Sequence, residues 1–372
     1  DLSGTLALSC GAHTFLIGDS TSAQTDLFVS SRIGGSGGLT KTGAGTLVLN
    51  NTNNDYSGQT WIREGVVAVT FLSGEGSNSS LGSASGTPAS IIKVADGATG
   101  ATLRYSGSNL STTNRGIDLA GTTGGATLDI TGPGSVNFAG PITASGAGSK
   151  TLTLTGNYSF TPSAISGAIA DNSASNKTSI LKTGFGTWTL SGANTYTGGT
   201  TINNGTLKLA GATGTALAGG NVTVNATGSP VAILDLTGTS QSIGALTFGG
   251  AGASSFATNS VVLGSSGVLT LGGNVTYDAT NNPGGSTISG ESISSAGYPF
   301  NGSLNLGSAT RTFNVGNSNN AMNDLTIFSR IDGFSGESLV KTGSGSLVLA
   351  GQSTYGGGTT VQTGSGPLLL AS

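Results

Sequence analysis

The stretch Leu181-Lys182-Thr183-Gly184-Phe185-Gly186-Thr187-Trp188-Thr189-Leu190, continued by Ser191-Gly192-Ala193-Asn194-Thr195-Tyr196-Thr197-Gly198-Gly199-Thr200-Thr201-Ile202, is written three times in this chain. The first copy opens at Leu39-Thr40-Lys41-Thr42-Gly43 and passes through Tyr56-Ser57-Gly58 to Thr60-Trp61-Ile62. The third opens at Leu339-Val340-Lys341-Thr342-Gly343 and passes through Tyr355-Gly356-Gly357-Gly358 to Thr359-Thr360-Val361. Short alternating segments that recur between Gly-rich corners are the mark of a stacked, quasi-one-dimensional architecture. Such a chain works through a long surface and not through a pocket.

Repetition extends upstream of the motif. Gly4-Thr5-Leu6-Ala7-Leu8 through Thr14-Phe15 matches Gly302-Ser303-Leu304-Asn305-Leu306 through Thr312-Phe313 at one offset, 302 − 4 = 298. Asp26 with Arg32 and Asp324 with Arg330 keep a single spacing, which predicts a repeated ion pair across a corner or at an assembly contact. Strand signals are dense, as in Thr46-Leu47-Val48-Leu49, Thr151-Leu152-Thr153-Leu154 and Val268-Leu269-Thr270-Leu271. Each alternates apolar with polar, and Gly, Asn and Ser clusters separate them. No window has a 3.6-residue period. Three architectures fit that pattern: a β-helix, three β-sandwich domains with one motif each, or one large barrel. Period-2 alternation alone does not separate parallel coils from antiparallel hairpins.

The motif itself narrows the choice. Lys-Thr-Gly-x-Gly-Thr-x-x-Leu, then Thr-Tyr-x-Gly-Gly-Thr-x-Ile, then Asn204-Gly205-Thr206-Leu207-Lys208-Leu209, resembles the autotransporter-associated β-strand repeat. The first copy departs by one inserted residue, since 56 − 41 = 15 where 196 − 182 = 14. The third departs at Gly364-Ser365-Gly366-Pro367. The resemblance implies a bacterial protein that is secreted or displayed at the cell surface. It implies an all-β fold, a right-handed parallel β-helix with Gly-rich corners. On that basis residues 1–372 are expected to form one continuous β-solenoid with motif copies at about 39–69, 180–209 and 339–370. The resemblance carries no catalytic residues. The recurrent positions are structural: Lys41, Lys182 and Lys341 as solvated lysines at strand starts; Tyr56, Tyr196 and Tyr355 as rings over corners; and Gly43, Gly45, Gly184, Gly186, Gly343 and Gly345 as corner glycines.

Composition agrees with an extracellular structural role. The chain has 372 residues, 66 of them Gly, and only 8% are charged. A soluble domain ordinarily carries roughly 25% charged residues, and a surface so poor in charge is weakly protected against association. A hydrophobic content of 35% with regular alternation is enough for a core, which argues against a disordered linker. The net charge of −3 is scattered, so there is no basic stripe for nucleic acid. No apolar run approaches the roughly 20 residues that span a bilayer. The chain opens on Asp1 with no signal-like segment and reads as a mature or trimmed piece without a C-terminal barrel.

Residues that could carry chemistry are sparse. His13 is the only His, and its counterpart Arg311 marks an exposed polar position. Asp129 and Asp235 sit in alternating strands as outward members. The glycines from Gly35 to Gly45 precede no helix and so make no phosphate cradle. Cys10 aligns with Ser308 and reads as an ordinary position more readily than as a lipid-attachment site. No catalytic, metal or cofactor site is expected.

The functional expectation is a secreted structural solenoid that polymerises end to end. Leu2, Leu6 and Leu8 of one copy would meet Leu368, Leu369 and Leu370 of the next, because open strand edges invite pairing and heterologous contacts propagate. Host or matrix glycans are further candidate partners. The alternatives are the passenger stalk of an autotransporter-type adhesin and, more remotely, a polysaccharide-cleaving β-helix enzyme. Alternation places Leu47, Leu49, Trp188, Leu190, Leu347 and Leu349 inside, with Val48, Thr189 and Val348 on the opposite face.

Overall fold

The computed structural model describes residues 4–22, 24–157, 161–211, 216–227, 231–250, 258–280, 284–290 and 302–371. Leu2 lies outside them. Among the described residues the regular elements are strands, and the strand ladders are parallel. The fold is a parallel β-helix. The chain forms two compact units: Asp1–Ile180 with Gly186–Trp188 and Asn194–Gly198, and Leu181–Phe185 with Thr189–Ala193 and Gly199–Ser372.

In the first unit, one sheet runs through Leu27–Val29, Thr46–Leu49, Gly65–Val69, Ala101–Tyr105, Ala126–Ile130 and Lys150–Gly156. A second runs through Ala12–Leu16, Gly38–Thr42, Thr60–Ile62, Ile92–Gly97, Ile117–Gly121 and Ile142–Ala144. A third holds Ser111–Thr113, Val136–Phe138 and Ser163–Ile165. Identical parity stacks like on like. Leu47, Val67, Leu103, Leu128 and Leu154 are partners in register and all are buried. The opposite row, Thr46, Val66, Thr102, Thr127 and Thr153, faces out along the same strands and is partly exposed or exposed. β-Branched residues suit that row because they fit a pleated, half-covered surface.

The second unit repeats the scheme. Thr200–Ile202, Val222–Val224, Leu246–Gly249, Val275–Asp278, Arg311–Val315, Leu339–Thr342 and Thr359–Val361 form one sheet. Gly205–Leu209, Val231–Asp235, Thr258–Val262, Ser286–Ser289, Leu325–Ile327, Leu347–Leu349 and Leu368–Leu370 form another. Ser240–Ile243, Val268–Leu271, Ser303–Asn305 and Arg330–Asp332 complete it.

Coils are not uniform in length. Val66 to its register partner Thr102 takes 102 − 66 = 36 residues, while Thr46 to Val66 takes 66 − 46 = 20. The surplus in the longer coil lies in the Ser- and Gly-rich stretch before Ile92. The expected inward set is buried: Leu47, Leu49, Trp188, Leu190, Leu347 and Leu349. Val48 and Thr189 are half-buried as expected of the opposite face, but Val348 is 7% exposed. It stands in register between Thr326, 8% exposed, and Leu369.

Truncating Leu190 to Ala should destabilise the fold by about 2–5 kcal/mol through lost transfer energy and a residual cavity. Thr189→Ala on the other face should change stability by less than about 0.5 kcal/mol. Denaturant midpoints of the two variants check the register, and equal losses would contradict it.

Candidate functional site

The recurring lysines point inward. Lys41 shares its face with Leu39, Lys182 with Ile180 and Lys341 with Leu339, and all three lysines are fully buried. The expectation of solvated lysines is therefore corrected: strand parity carries them to the core side. Lys41 lies in register between Phe15 and Ile62, and Lys341 between Phe313 and Val361.

What makes burial tolerable is a cage of corner carbonyls. Lys41 Nζ donates to Thr42 O at 3.1 Å, Gly43 O at 2.6 Å and Glu64 O at 3.2 Å. Lys182 Nζ donates to Thr183 O at 2.7 Å, Gly184 O at 2.8 Å and Asn204 O at 2.9 Å. Lys341 Nζ donates to Thr342 O and Gly343 O, both at 2.8 Å. Two acceptors come from the lysine's own corner and the third from the following coil, 23 residues on for Lys41 and 22 for Lys182. Each ammonium thus gathers the oxygens of its own corner, and those of Lys41 and Lys182 also tie one coil to the next.

The same device occurs outside the motif. Buried Lys150 donates to Gly121 O, to Thr122 O at 3.3 Å and to Ala147 O at 2.6 Å. Buried Arg115 donates to Ser90 O at 2.8 Å and Leu81 O at 2.7 Å. Arg311 spans Leu306 O, Gly272 O and Leu271 O at 2.6–2.9 Å. Burial pushes the Lys182 ammonium down to about 7. It also lowers Lys41, Lys150 and Lys341, against the nearby carboxylates Glu64 and Asp26, Asp118, and Asp324 respectively.

Glycine is needed at these corners for two different reasons. Gly43, Gly184 and Gly343 have φ of +78°, +69° and +77°, the left-handed region that side chains disfavour. Gly45 and Gly345 are set by contact: a Cβ there would run into Gly18 O and Gly316 O of the preceding coil. Gly186 donates its N–H to Gly156 O at 2.9 Å.

Tyr56 and Tyr196 are fully buried, and Tyr355 is half-buried. The Tyr56 hydroxyl meets Thr60 Oγ1 at 2.8 Å, and Tyr355 meets Thr359 in the same way. Burial pushes the Tyr56 hydroxyl up to about 12.

The repeated Asp–Arg spacing does not make an ion pair. Asp26 instead accepts N–H groups from Ser20 at 2.8 Å and Thr46 at 2.7 Å, and Asp324 accepts those of Ser318 at 2.6 Å and Ser346 at 2.8 Å. The Thr46 N–H, then that of Ser20, holds Asp26 below the usual carboxylate range. Arg32 pairs with Asp55, and Arg330 with Asp332 at 2.6 Å. A short polar acid serves better here as a clamp for corner amides than as a surface ion.

Asp129 and Asp235 face out and pair with the register partner of the neighbouring coil, Arg104 at 2.8 Å and Lys208 at 3.9 Å. His13 is half-buried with Nε2 3.2 Å from Ser9 O, and Cys10 is exposed. Of the residues expected at an assembly contact, Leu8 is core, 2% exposed, with its N–H on Gly34 O at 2.7 Å. Leu6 and Leu368 are half-buried, while Leu369 and Leu370 are 43% and 78% exposed.

The family model of the passenger-associated transport repeat matches residues 39–69, 180–209 and 339–365. Half of the chain, 190 residues, is 35% identical to the adhesin BmaC autotransporter of Brucella suis biovar 1 (strain 1330), of which it covers 5%. A segment of 40 residues, 11% of the chain, is 60% identical to an extracellular serine protease of Serratia marcescens and covers 4% of it. The chain therefore spans about a twentieth of the length of these relatives. No solved structure matches it.

Two outcomes follow for the corners. Gly184→Val should cost about 1–3 kcal/mol in thermal or denaturant unfolding, since it forces a β-branched residue into positive φ. The lysine cages set a pH dependence. The folded value for Lys182, about 7, lies below its ordinary 10.5. The unfolded chain then holds the extra proton between those limits, so stability rises with pH through that window. Urea midpoints should climb above pH 7, and less steeply in Lys182→Met; a level wild-type profile would contradict the buried amine.

Proposed function

We propose that this chain, which carries three passenger-associated transport repeats, is a non-enzymatic scaffold section of an autotransporter-type passenger that is secreted or displayed at the cell surface. The observation that supports this best is the cage motif. The three matched repeats coincide with corners whose carbonyls are gathered by a buried lysine, which in the first two also ties adjacent coils, a device that strengthens a β-helix and offers no chemistry to solvent. The polar groups that might have formed a catalytic cluster are spent on structure. Asp26 and Asp324 clamp backbone amides, and Asp129 and Asp235 are paired with cations.

The adhesin relative supports a role in which the outward sheet faces meet a partner. The competing reading is a head-to-tail fibre through the region of Leu6 and Leu368–Leu370. Burial of Leu8 in its own coil removes one of the residues that contact would use.

Sedimentation velocity separates the two. A scaffold section should remain monomeric from dilute to concentrated solution, and beads coated with it should bear whatever adhesion the folded chain supports. Concentration-dependent polymers that vanish when residues 367–372 are removed would establish the fibre instead.

A further inference from the structure

Outward from the Lys41 cage, the second sheet of the first unit carries an unusual row. Thr14, Thr40, Trp61, Lys93 and Asp118 are register partners on consecutive coils. Trp61 is the one aromatic ring in it. Its indole Nε1–H donates to Ala95 O at 3.1 Å, and the Arg63 and Lys93 cations stand 4.7 and 4.6 Å from the ring centroid. The ring is therefore held in place before any ligand arrives; the two cations cover part of it, and what is left to a ligand is the part that walls the groove beside Thr40 and Gln59.

Two hollows lie on this face, one walled by the ring itself and one two residues further along the strands. The first is a groove of about 270 Å³ walled by Trp61, Thr40, Gln59 and Ser36, with Gly38 and Gly58 in its floor. Those glycines are dictated by coil spacing, because a Cβ on Gly38 would lie 2.6 Å from Gln59 O and one on Gly58 would run into Gly38 N. Their consequence is a floor bare of side chains. The Gln59 amide is fixed by Pro88 O at 2.8 Å. The second, a cavity of about 300 Å³, is lined by Thr42, Arg63, Glu64, Asp96 and Thr99. Thr40 and Thr42 are two residues apart on one strand, roughly 6.6 Å, so the two separate hollows open on the same sheet face, within the reach of one oligosaccharide.

We propose that the two hollows together are a binding site for a neutral oligosaccharide, with one sugar against the Trp61 indole over the glycine floor and its neighbours hydrogen-bonded by Thr40, Gln59, Glu64 and Asp96. The ligand chemistry follows from the lining. An aromatic surface beside fixed hydroxyl, amide and carboxylate groups matches a ring that is apolar on its face and polar on its rim. Arg63 Nε is committed to Asp96 at 2.7 Å, Lys93 stands 3.9 Å from Asp118, and Glu64 adds a further carboxylate to the lining, so phosphate, sulfate and nucleic acid are disfavoured. Strands Gly38–Thr42 and Thr60–Ile62 are both paired on either side, which leaves no ladder edge for an extended peptide. The site goes beyond the scaffold reading and does not rest on it.

The chain has two tryptophans, which makes the test direct. Trp188 is 1% exposed and stacks on Phe138 at 6.2 Å between ring centroids, so its indole N–H resonance serves as an internal control. The intact chain is titrated with maltotetraose, cellotetraose, chitotetraose and a heparin tetrasaccharide, each to about 10 mM. At least one neutral probe should shift the Trp61 indole resonance and leave that of Trp188 in place. By calorimetry, Trp61→Ala should weaken that binding about tenfold, with an unchanged urea midpoint as the folding control. Should Trp61→Ala fail that control, Gln59→Ala is read in its place and should also weaken binding. Silence of the Trp61 resonance with every neutral probe, a response to the heparin fragment alone, or undiminished binding in the variants would overturn the proposal.

Discussion

Carbonyl oxygens converge at the corners of the repeat motif, and the donor they share is a lysine ammonium brought in from the core side. The lysine and the first glycine of the repeat follow from that arrangement. The lysine must share parity with the apolar residues of its strand, as Lys41 does with Leu39 and Lys341 with Leu339. The corner after it must fold its oxygens back toward Nζ, which sets Gly43, Gly184 and Gly343 at positive φ. The next coil must deliver one more oxygen, Glu64 O or Asn204 O. A buried charge unaided would be costly, while three carbonyl acceptors and backbone packing offset much of that cost. The neutral amine still keeps two N–H donors, so the cage outlives loss of the proton in part.

The rest of the polar chemistry obeys the same economy. With only 8% charged residues, few ions are left as free surface groups. Asp26 and Asp324 gather backbone amides at equivalent corners, and Arg115, Lys150 and Arg311 gather carbonyls. Outward ions such as Arg104 with Asp129 pair between adjacent coils, because parallel in-register stacking brings their positions side by side. The sheet faces are thereby left to threonine rows, with Trp61 and the two hollows on its face as the marked exception.

Much of the architecture was legible in the amino-acid order. Alternation in Thr46-Leu47-Val48-Leu49 and its relatives sorted inside from outside, and the repeat motif supplied the parallel β-helix that alternation alone left open. The lysines are where charge and parity conflict: a charge argues for solvent, but Leu39-Thr40-Lys41 puts Lys41 on the apolar face, and parity wins. Asp26 and Arg32 were read as partners because a constant spacing looks like a contact. In a coiled chain, residues six apart round a corner are less available to each other than to the coils above and below. Gly198 shows a further limit: its φ is ordinary, and what excludes a side chain is Ser179 and Thr178, which its sequence neighbours do not announce. The Trp61 site was invisible for the same reason, since Thr40, Trp61 and Lys93 become neighbours only through register.

The carbonyl cages require the motif lysines to lie inside the coils, and selective acylation tests that most directly. Native protein treated briefly with a lysine-acylating reagent, then digested and mapped, should be modified at Lys93, Lys177 and Lys208, whose side chains are 27%, 40% and 41% exposed. Lys41, Lys150, Lys182 and Lys341 should stay unmodified until the chain is unfolded in urea. Acylation of the motif lysines in the folded protein at the same rate as Lys208 would contradict the carbonyl cages and the reading built on them.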